Sequence, residues 1–215
     1  MEGLFNPLDK KNLAKSVCTE LLSKAATPMG KLPKFEGAGV YAIYYTGNFA
    51  PYRFIAQENK DELRLPIYVG KAITAGSRRS VIFGEETSGT SLWKRLIEHA
   101  ESIKCSSTLK IEDFSCRYLV VDPVWIPLGE NLLINELRPL WNCSLDGFGN
   151  HDPGNGRYAQ QISPWDILHP GRTWAAKCAP NKKKDHGSIL KEIGDFFKGH
   201  PGKDSTLTQV KIVKS

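Results

Sequence analysis

Apolar residues crowd into two short runs in the first third of the chain. Gly39-Val40-Tyr41-Ala42-Ile43-Tyr44-Tyr45 is apolar, β-branched or aromatic throughout, and Pro66-Ile67-Tyr68-Val69-Gly70 repeats that character. Both predict strands, near 38–46 and 66–70. Side chains alternate along a strand, so Tyr41, Ile43 and Tyr45 share one face while Val40, Ala42 and Tyr44 share the other. A third strand is predicted at 114–121, ended by Asp122-Pro123. Helical spacing accounts for most of the rest. Leu13, Val17, Leu21 and Ala25 recur four apart and predict a helix over 8–25. Leu92, Trp93, Leu96, Ala100 and Ile103 predict one over 91–104, with Ser91 as its cap. Leu133, Ile134 and Leu137 mark one at 127–138, between Pro127 and Pro139. Shorter helices are expected at 164–168 and 172–177, joined by His169-Pro170-Gly171, and a longer one at 187–198. Thr206–Val213 reads as a strand or a frayed tail.

Between these elements lie three long connections. Residues 47–66 are too polar for core and too many for a tight hairpin, and read either as an exposed connection or as a DNA-contacting loop. Residues 71–90 carry Lys71, Arg78 and Arg79 among small residues, and 146–156 is rich in Gly, Asn and Asp. Loops on a rigid scaffold often carry binding contacts.

The helix at 91–104 sets Arg95 and His99 one turn apart on the edge of its apolar face, where both can line a cleft. Glu130 falls one turn before Leu133 and Ile134, on the buried stripe. An unpaired buried carboxylate costs several kcal/mol as an order of magnitude, so Glu130 needs a partner. A divalent cation is one candidate and Arg95 another, and the helix dipole would favour an acid in the first turn in any case. A central tyrosine in each of two nearby strands, Tyr41 and Tyr68, allows two phenols to lie side by side.

Composition narrows the class. With 215 residues, 40% hydrophobic and 24% charged, the chain is long enough for one compact domain with extensions or two small ones. The net charge of +6 suits a polyanionic partner. The five cysteines, at 18, 105, 116, 143 and 178, form no C-x-x-C pair, which argues against a zinc knuckle and fits reduced thiols. No apolar run is long enough to span a bilayer, and Met1-Glu2-Gly3-Leu4 does not open a secretory signal, so no membrane partner and a cytoplasmic location are expected.

The order of these features carries a resemblance. Gly39-Val40-Tyr41, Tyr68-Val69-Gly70-Lys71, Arg95-x-x-x-His99, and Glu130-x-x-Leu133-Ile134 leading to Pro139-Leu140-Trp141-Asn142 resemble the GIY-YIG nuclease superfamily over about residues 37–142. Val stands for Ile in both tripeptides. Asp146-Gly147-Phe148-Gly149-Asn150-His151, Pro153-Gly154, Gly156-Arg157 and His169-Pro170-Gly171-Arg172 extend the likeness to about residue 178. This second half is similar to the Type II restriction endonucleases of that superfamily, in particular the branch that cuts CCGCGG.

The resemblance implies an α+β fold: a small antiparallel three-stranded core sheet flanked by helices, with long loop insertions and helical terminal extensions. Residues 1–36 would be an N-terminal helical extension, 37–142 the nuclease core, and 143–215 a C-terminal extension packing on the core and contacting DNA. It implies Mg²⁺, with Mn²⁺ able to substitute, held by Glu130 as metal ligand, and Arg95 on the scissile phosphate. Tyr41 would be the general base. A phenol with unperturbed pKa about 10 needs positive charge or a relay for that task, from Lys71, His99 or the metal. Tyr68 would position water and phosphate, His99 orient Tyr41 or accept its proton, and Asn142 support the cleft.

Reading a palindromic double-stranded DNA requires two copies of one active site, so a homodimer, or a higher oligomer, is expected. Donors to guanine would come from Arg53, Arg78, Arg79, Arg157 and Arg172, with Gln160 and Gln161 behind them, although such groups serve phosphates equally well. A companion DNA methyltransferase is expected in the same system, but not as a bound subunit. The alternatives are a homing or repair nuclease on the same core, a non-catalytic DNA-binding module, and a structural basic protein.

Overall fold

A computed structural model describes residues 6, 8–73 and 89–199 of the chain. The backbone runs through α1 (Lys10–Ser23), β1 (Thr27–Pro28), β2 (Gly39–Tyr45), α2 (Arg53–Glu58), β3 (Pro66–Ala72), α3 (Ser91–Cys105), β4 (Phe114–Val120), α4 (Ile126–Leu137), α5 (Leu140–Cys143), α6 (Pro164–Leu168) and α7 (His186–Lys198). The strands form one antiparallel sheet in the order β1-β4-β2-β3. The mixed α+β class is as expected, but the sheet has four strands rather than three. The extra one is the two-residue β1, which pairs Thr27 with Cys116 and is too short to leave a periodic signal.

β2 is central and buried along its whole length, because the sheet is covered on both faces. Tyr41, Ile43 and Tyr45 pack into one apolar cluster with Leu92, Leu96 and Ile103 of α3, while Val40, Ala42 and Tyr44 pack into another with Cys18 and Leu21 of α1 and Leu133 and Leu137 of α4. Each fully buried aliphatic or aromatic side chain stabilises the fold by about 1.5–3 kcal/mol relative to exposure. The alternation read from the sequence therefore separates the two core clusters.

Local signals are more selective than predicted. On α1 the expected Leu21 is buried, but the other buried positions, Ala14, Cys18 and Leu22, fall one step off the expected stripe, and Ala25 lies beyond the helix and is exposed. A period of 3.6 drifts away from a strict spacing of four within two turns. Asp9 caps α1 by accepting from Lys11 N. Ser91 does not cap α3; it is the first helical residue, and its hydroxyl donates to the Gly37 carbonyl. The connection 47–66 is folded rather than merely exposed: it contains α2, and Tyr52, Ile55 and Asn59 are buried. Asn59 holds it shut, donating to the carbonyls of Tyr45 and Leu65 and accepting from the amides of Arg64 and Leu65. Of the two short helices expected after residue 163, α6 forms, while the second contracts to a 3-10 turn at Ala175–Lys177. Arg78, Arg79 and the segment 206–213 lie outside the described residues.

The segment after α5 completes the first core cluster. Phe148, Trp165, Leu168, Ile189 and Ile193 are buried in it beside Tyr41 and Trp141. α7 is held by a capping box in which Asp185 and Ser188 exchange side-chain and backbone hydrogen bonds. Among the described residues no helix is long and apolar enough to cross a membrane.

Candidate active site

The two phenols meet because of the pairing register. Tyr41 of β2 sits opposite Gly70 of β3, and Ile43 opposite Tyr68, so the tyrosines are diagonal neighbours on one face. Gly70 makes the room: a Cβ there would lie 2.4 Å from the Tyr41 hydroxyl oxygen. The ring centroids of Tyr41 and Tyr68 are 6.2 Å apart.

α3 brings the next two groups. Tyr41 Oη and His99 Nε2 are 2.6 Å apart, and both residues are buried. The Arg95 guanidinium lies against both phenols. Burial holds the Tyr41 pKa well above its ordinary value; Tyr68 pushes the same way, and Arg95 draws it back down. Burial raises Tyr68 as well. Burial first, and the Arg95 charge second, hold His99 well below the ordinary imidazole range. Its ring is neutral at neutral pH, so His99 brings no positive charge to Tyr41. That charge comes from Arg95.

The acid approaches from the other face of the sheet. α4 packs against the cluster of Val40, Val69 and Leu133, and Glu130 reaches the edge strand β3, where its Oε2 pairs with Lys71 Nζ at 2.6 Å. Its structural partner is therefore Lys71 and not Arg95. Lys71 is turned to the acid rather than to the phenols. Glu130 is still near enough to Tyr41 and Tyr68 to raise the pKa of each. Asn142 of α5 caps the outer edge of β3, its Oδ1 accepting from Val69 N and its Nδ2 donating to Val69 O, both at 2.8 Å. It thereby pairs backbone groups that an edge strand leaves open, and fixes the strand that carries Tyr68, Gly70 and Lys71.

A family model described as the Eco29kI GIY-YIG domain matches residues 33–197. The chain belongs to this family. No curated protein matches it. As a restriction-type GIY-YIG domain the protein is a nuclease and a DNA binder. The match runs well past residue 142, consistent with the shared core of the two halves of this GIY-YIG domain.

Residues of the second half also meet this cluster; they carry part of the family likeness in the sequence but were given no role from it. Phe148 stacks on His99, with centroids 4.5 Å apart and planes 17° from parallel, and meets the Tyr68 ring edge-on at 4.9 Å. The Gly149 carbonyl accepts from Arg95 Nη2 at 3.0 Å, and a Cβ on Gly149 would come within 2.7 Å of Tyr68 Oη. His151 contacts Arg95 Nη1 and stands near Glu98. The available signal was an aromatic residue flanked by glycines inside a polar loop.

The expected DNA readers divide. Arg53, Arg157 and Gln160 are exposed, as is Gln161, and all stand outside the tyrosine cluster. Arg172 does not fit the role given to it. It is 5% exposed, and its guanidinium N–H groups are taken up by Asp166 and by backbone carbonyls, which leaves no donor for a base.

The metal question rests on Glu130. Among the described residues no three His, Cys, Asp or Glu side chains converge as a ready-made metal site. A single partly exposed carboxylate fits Mg²⁺, which keeps several waters and takes few protein ligands.

Proposed function

We propose that the protein is a Type II restriction endonuclease that hydrolyses both strands of a G·C-rich palindrome such as CCGCGG. It would act as a homodimer, with Mg²⁺, or Mn²⁺ in its place, at Glu130. A DNA methyltransferase encoded in the same system would protect the host site. The observation that carries the reading is the convergence of Tyr41, Tyr68, Arg95 and His99 on one face of the edge strand, with Glu130 reaching that strand from the other.

The proton path follows from the electrostatics. A phenol held above its ordinary pKa keeps its proton, so Tyr41 acts as a relay rather than as a standing phenolate. As the water O–H bond breaks, its proton passes to Tyr41 Oη and the phenolic proton moves to His99 Nε2. The water oxygen forms the new bond to phosphorus, and the leaving oxygen departs with the electron pair of its broken P–O bond and takes a proton from solvent. Arrival of a phosphate against Arg95 offsets the guanidinium charge that helps to keep His99 neutral, so proton affinity rises when substrate is bound. Arg95 stabilises charge developing on the phosphoryl oxygens, and Tyr68 positions the phosphate by hydrogen bonding. When bound at Glu130, Mg²⁺ supplies Lewis-acid stabilisation of phosphoryl charge. Arg53, Arg157, Gln160 and the segment with Arg78 and Arg79 would contact bases or phosphates.

The test is plasmid DNA incubated with the protein and Mg²⁺, with the ends mapped. Discrete fragments ending at one palindrome are expected. Random nicking would point to a repair-type nuclease, and retention without cutting to a binding module. Glu130→Gln should abolish cleavage and keep binding in a gel-shift assay. Continued cutting by that variant would remove Glu130 as the metal ligand.

A further inference from the structure

Arg172 is a buried charge, and each of its five N–H groups has an acceptor. Its Nε and Nη2 donate to the two carboxylate oxygens of Asp166, at 2.7 and 2.8 Å. The remaining N–H groups go to backbone: Nη2 to Gly147 O at 2.8 Å, and Nη1 to Phe148 O at 3.2 Å and Asn150 O at 3.1 Å. The guanidinium carbon lies 4.6 Å from the Trp165 ring centroid and 4.7 Å from that of Trp174. A buried ion pair can often be replaced by apolar residues with no loss of stability, so the pair alone is weak evidence for a stabilising purpose.

What it holds is more telling. Of the four consecutive carbonyls from 147 to 150, three face Arg172. The fourth, that of Gly149, faces the opposite way and accepts from Arg95 Nη2. Phe148, between two of the clasped carbonyls, supplies the ring stacked on His99. One planar fork thus sets the orientation of a loop whose other side touches both the guanidinium and the imidazole of the candidate site.

We propose that Arg172 is a positioning residue: by clasping the carbonyls of 147, 148 and 150 it aims Gly149 O at Arg95 and so holds the Arg95 guanidinium over the two phenols. The role that follows for catalysis rests on the nuclease reading above; the positioning itself does not. Lysine cannot reproduce the fork, so Arg172→Lys should leave the loop carbonyls unclasped while keeping the charge opposite Asp166.

The experiment is nitrogen-detected NMR on the full-length, DNA-free protein, with the Arg95 guanidinium assigned from an Arg95→Lys sample. In the wild type, rotation about the Arg95 Nε–Cζ bond should be restricted. In Arg172→Lys, and in the milder Asp166→Asn, that rotation should speed up by an order of magnitude or more. Tyrosinate absorbance, referenced to Tyr41→Phe, should show Tyr41 titrating at higher pH, because the cation that lowers its pKa has lost its station. Cleavage by the variants should lose about tenfold or more in kcat with KM for DNA little changed. Free rotation of Arg95 in the wild type would overturn the proposal without any variant. An unchanged Arg95 signal and tyrosine titration in a folded variant would do the same. Wild-type protein that fails to cut DNA, yet shows a restrained Arg95 released by Arg172→Lys, would sink the nuclease reading and leave the positioning intact.

Discussion

Lys71 and Glu130 show how one residue can have two partners in prospect. The ammonium sits on the carboxylate at 2.6 Å, with the lysine side chain 36% and the glutamate 15% exposed. A divalent cation binding Glu130 has to share or displace that ammonium. Pairs of this exposure are worth about 1 kcal/mol or less, small against a metal–carboxylate bond but enough to tune it. Lys71→Met should therefore tighten Mg²⁺ binding to the DNA-free protein by about fivefold in titration calorimetry. An unchanged affinity would mean that Lys71 does not compete for the acid. The lysine and the glutamate were both singled out in the sequence, one following the Tyr-Val-Gly motif and the other on an apolar helical stripe. Their pairing was not, because 59 positions separate them in sequence and only the packing of α4 against β3 joins them.

At the scale of elements, the edge strand β3 is the part on which the site is assembled. It carries Tyr68 and Gly70 toward α3, Lys71 toward α4, and presents Val69 to Asn142. Gly70 is the narrowest point, since any side chain there enters the space of the Tyr41 phenol. Gly70→Ala should push the phenol off its line to His99, destabilise the fold by about 1–3 kcal/mol in urea melts, and remove cleavage. A variant cutting at the wild-type rate would show that the Tyr41–His99 contact is dispensable. Long elements with a clear period were legible: β2, β3 and β4, and helices α3, α4 and α7, lie close to their predicted spans. β1 and α2 were not. The first is two residues long, and the second is a six-residue helix within a polar stretch whose burial is decided by Asn59 and by the aromatic residues around Tyr52.

For the molecule as a whole, the second half is structural as much as functional, and this was the least legible feature. Arg172 and His169 lie in a Pro-Gly loop, where sequence statistics favour exposure, yet both are buried because α6 and the loop from 146 fold over Trp141. His169 bonds Tyr52 Oη through Nε2 at 2.5 Å and Thr108 Oγ1 through Nδ1 at 2.6 Å, tying the second half to the first. Burial, with the nearby charge of Arg172, pushes its pKa down to about 3. A ring that stays neutral when folded but takes a proton near pH 6.5 when unfolded binds more protons in the unfolded state below that pH. Stability is therefore full above pH 6.5 and falls as the pH drops toward 3, by about 2 kcal/mol from this residue alone between pH 6.5 and 5. His99, held low mainly by burial, adds in the same direction. Urea melts between pH 7.5 and 5 should show this loss. His169→Gln, which cannot take the proton, should be less stable at pH 7.5 but should lose visibly less between the two ends. Equal losses in wild type and variant would mean that His169 already shares its proton with solvent in the folded protein, and that the seam between the two halves is open.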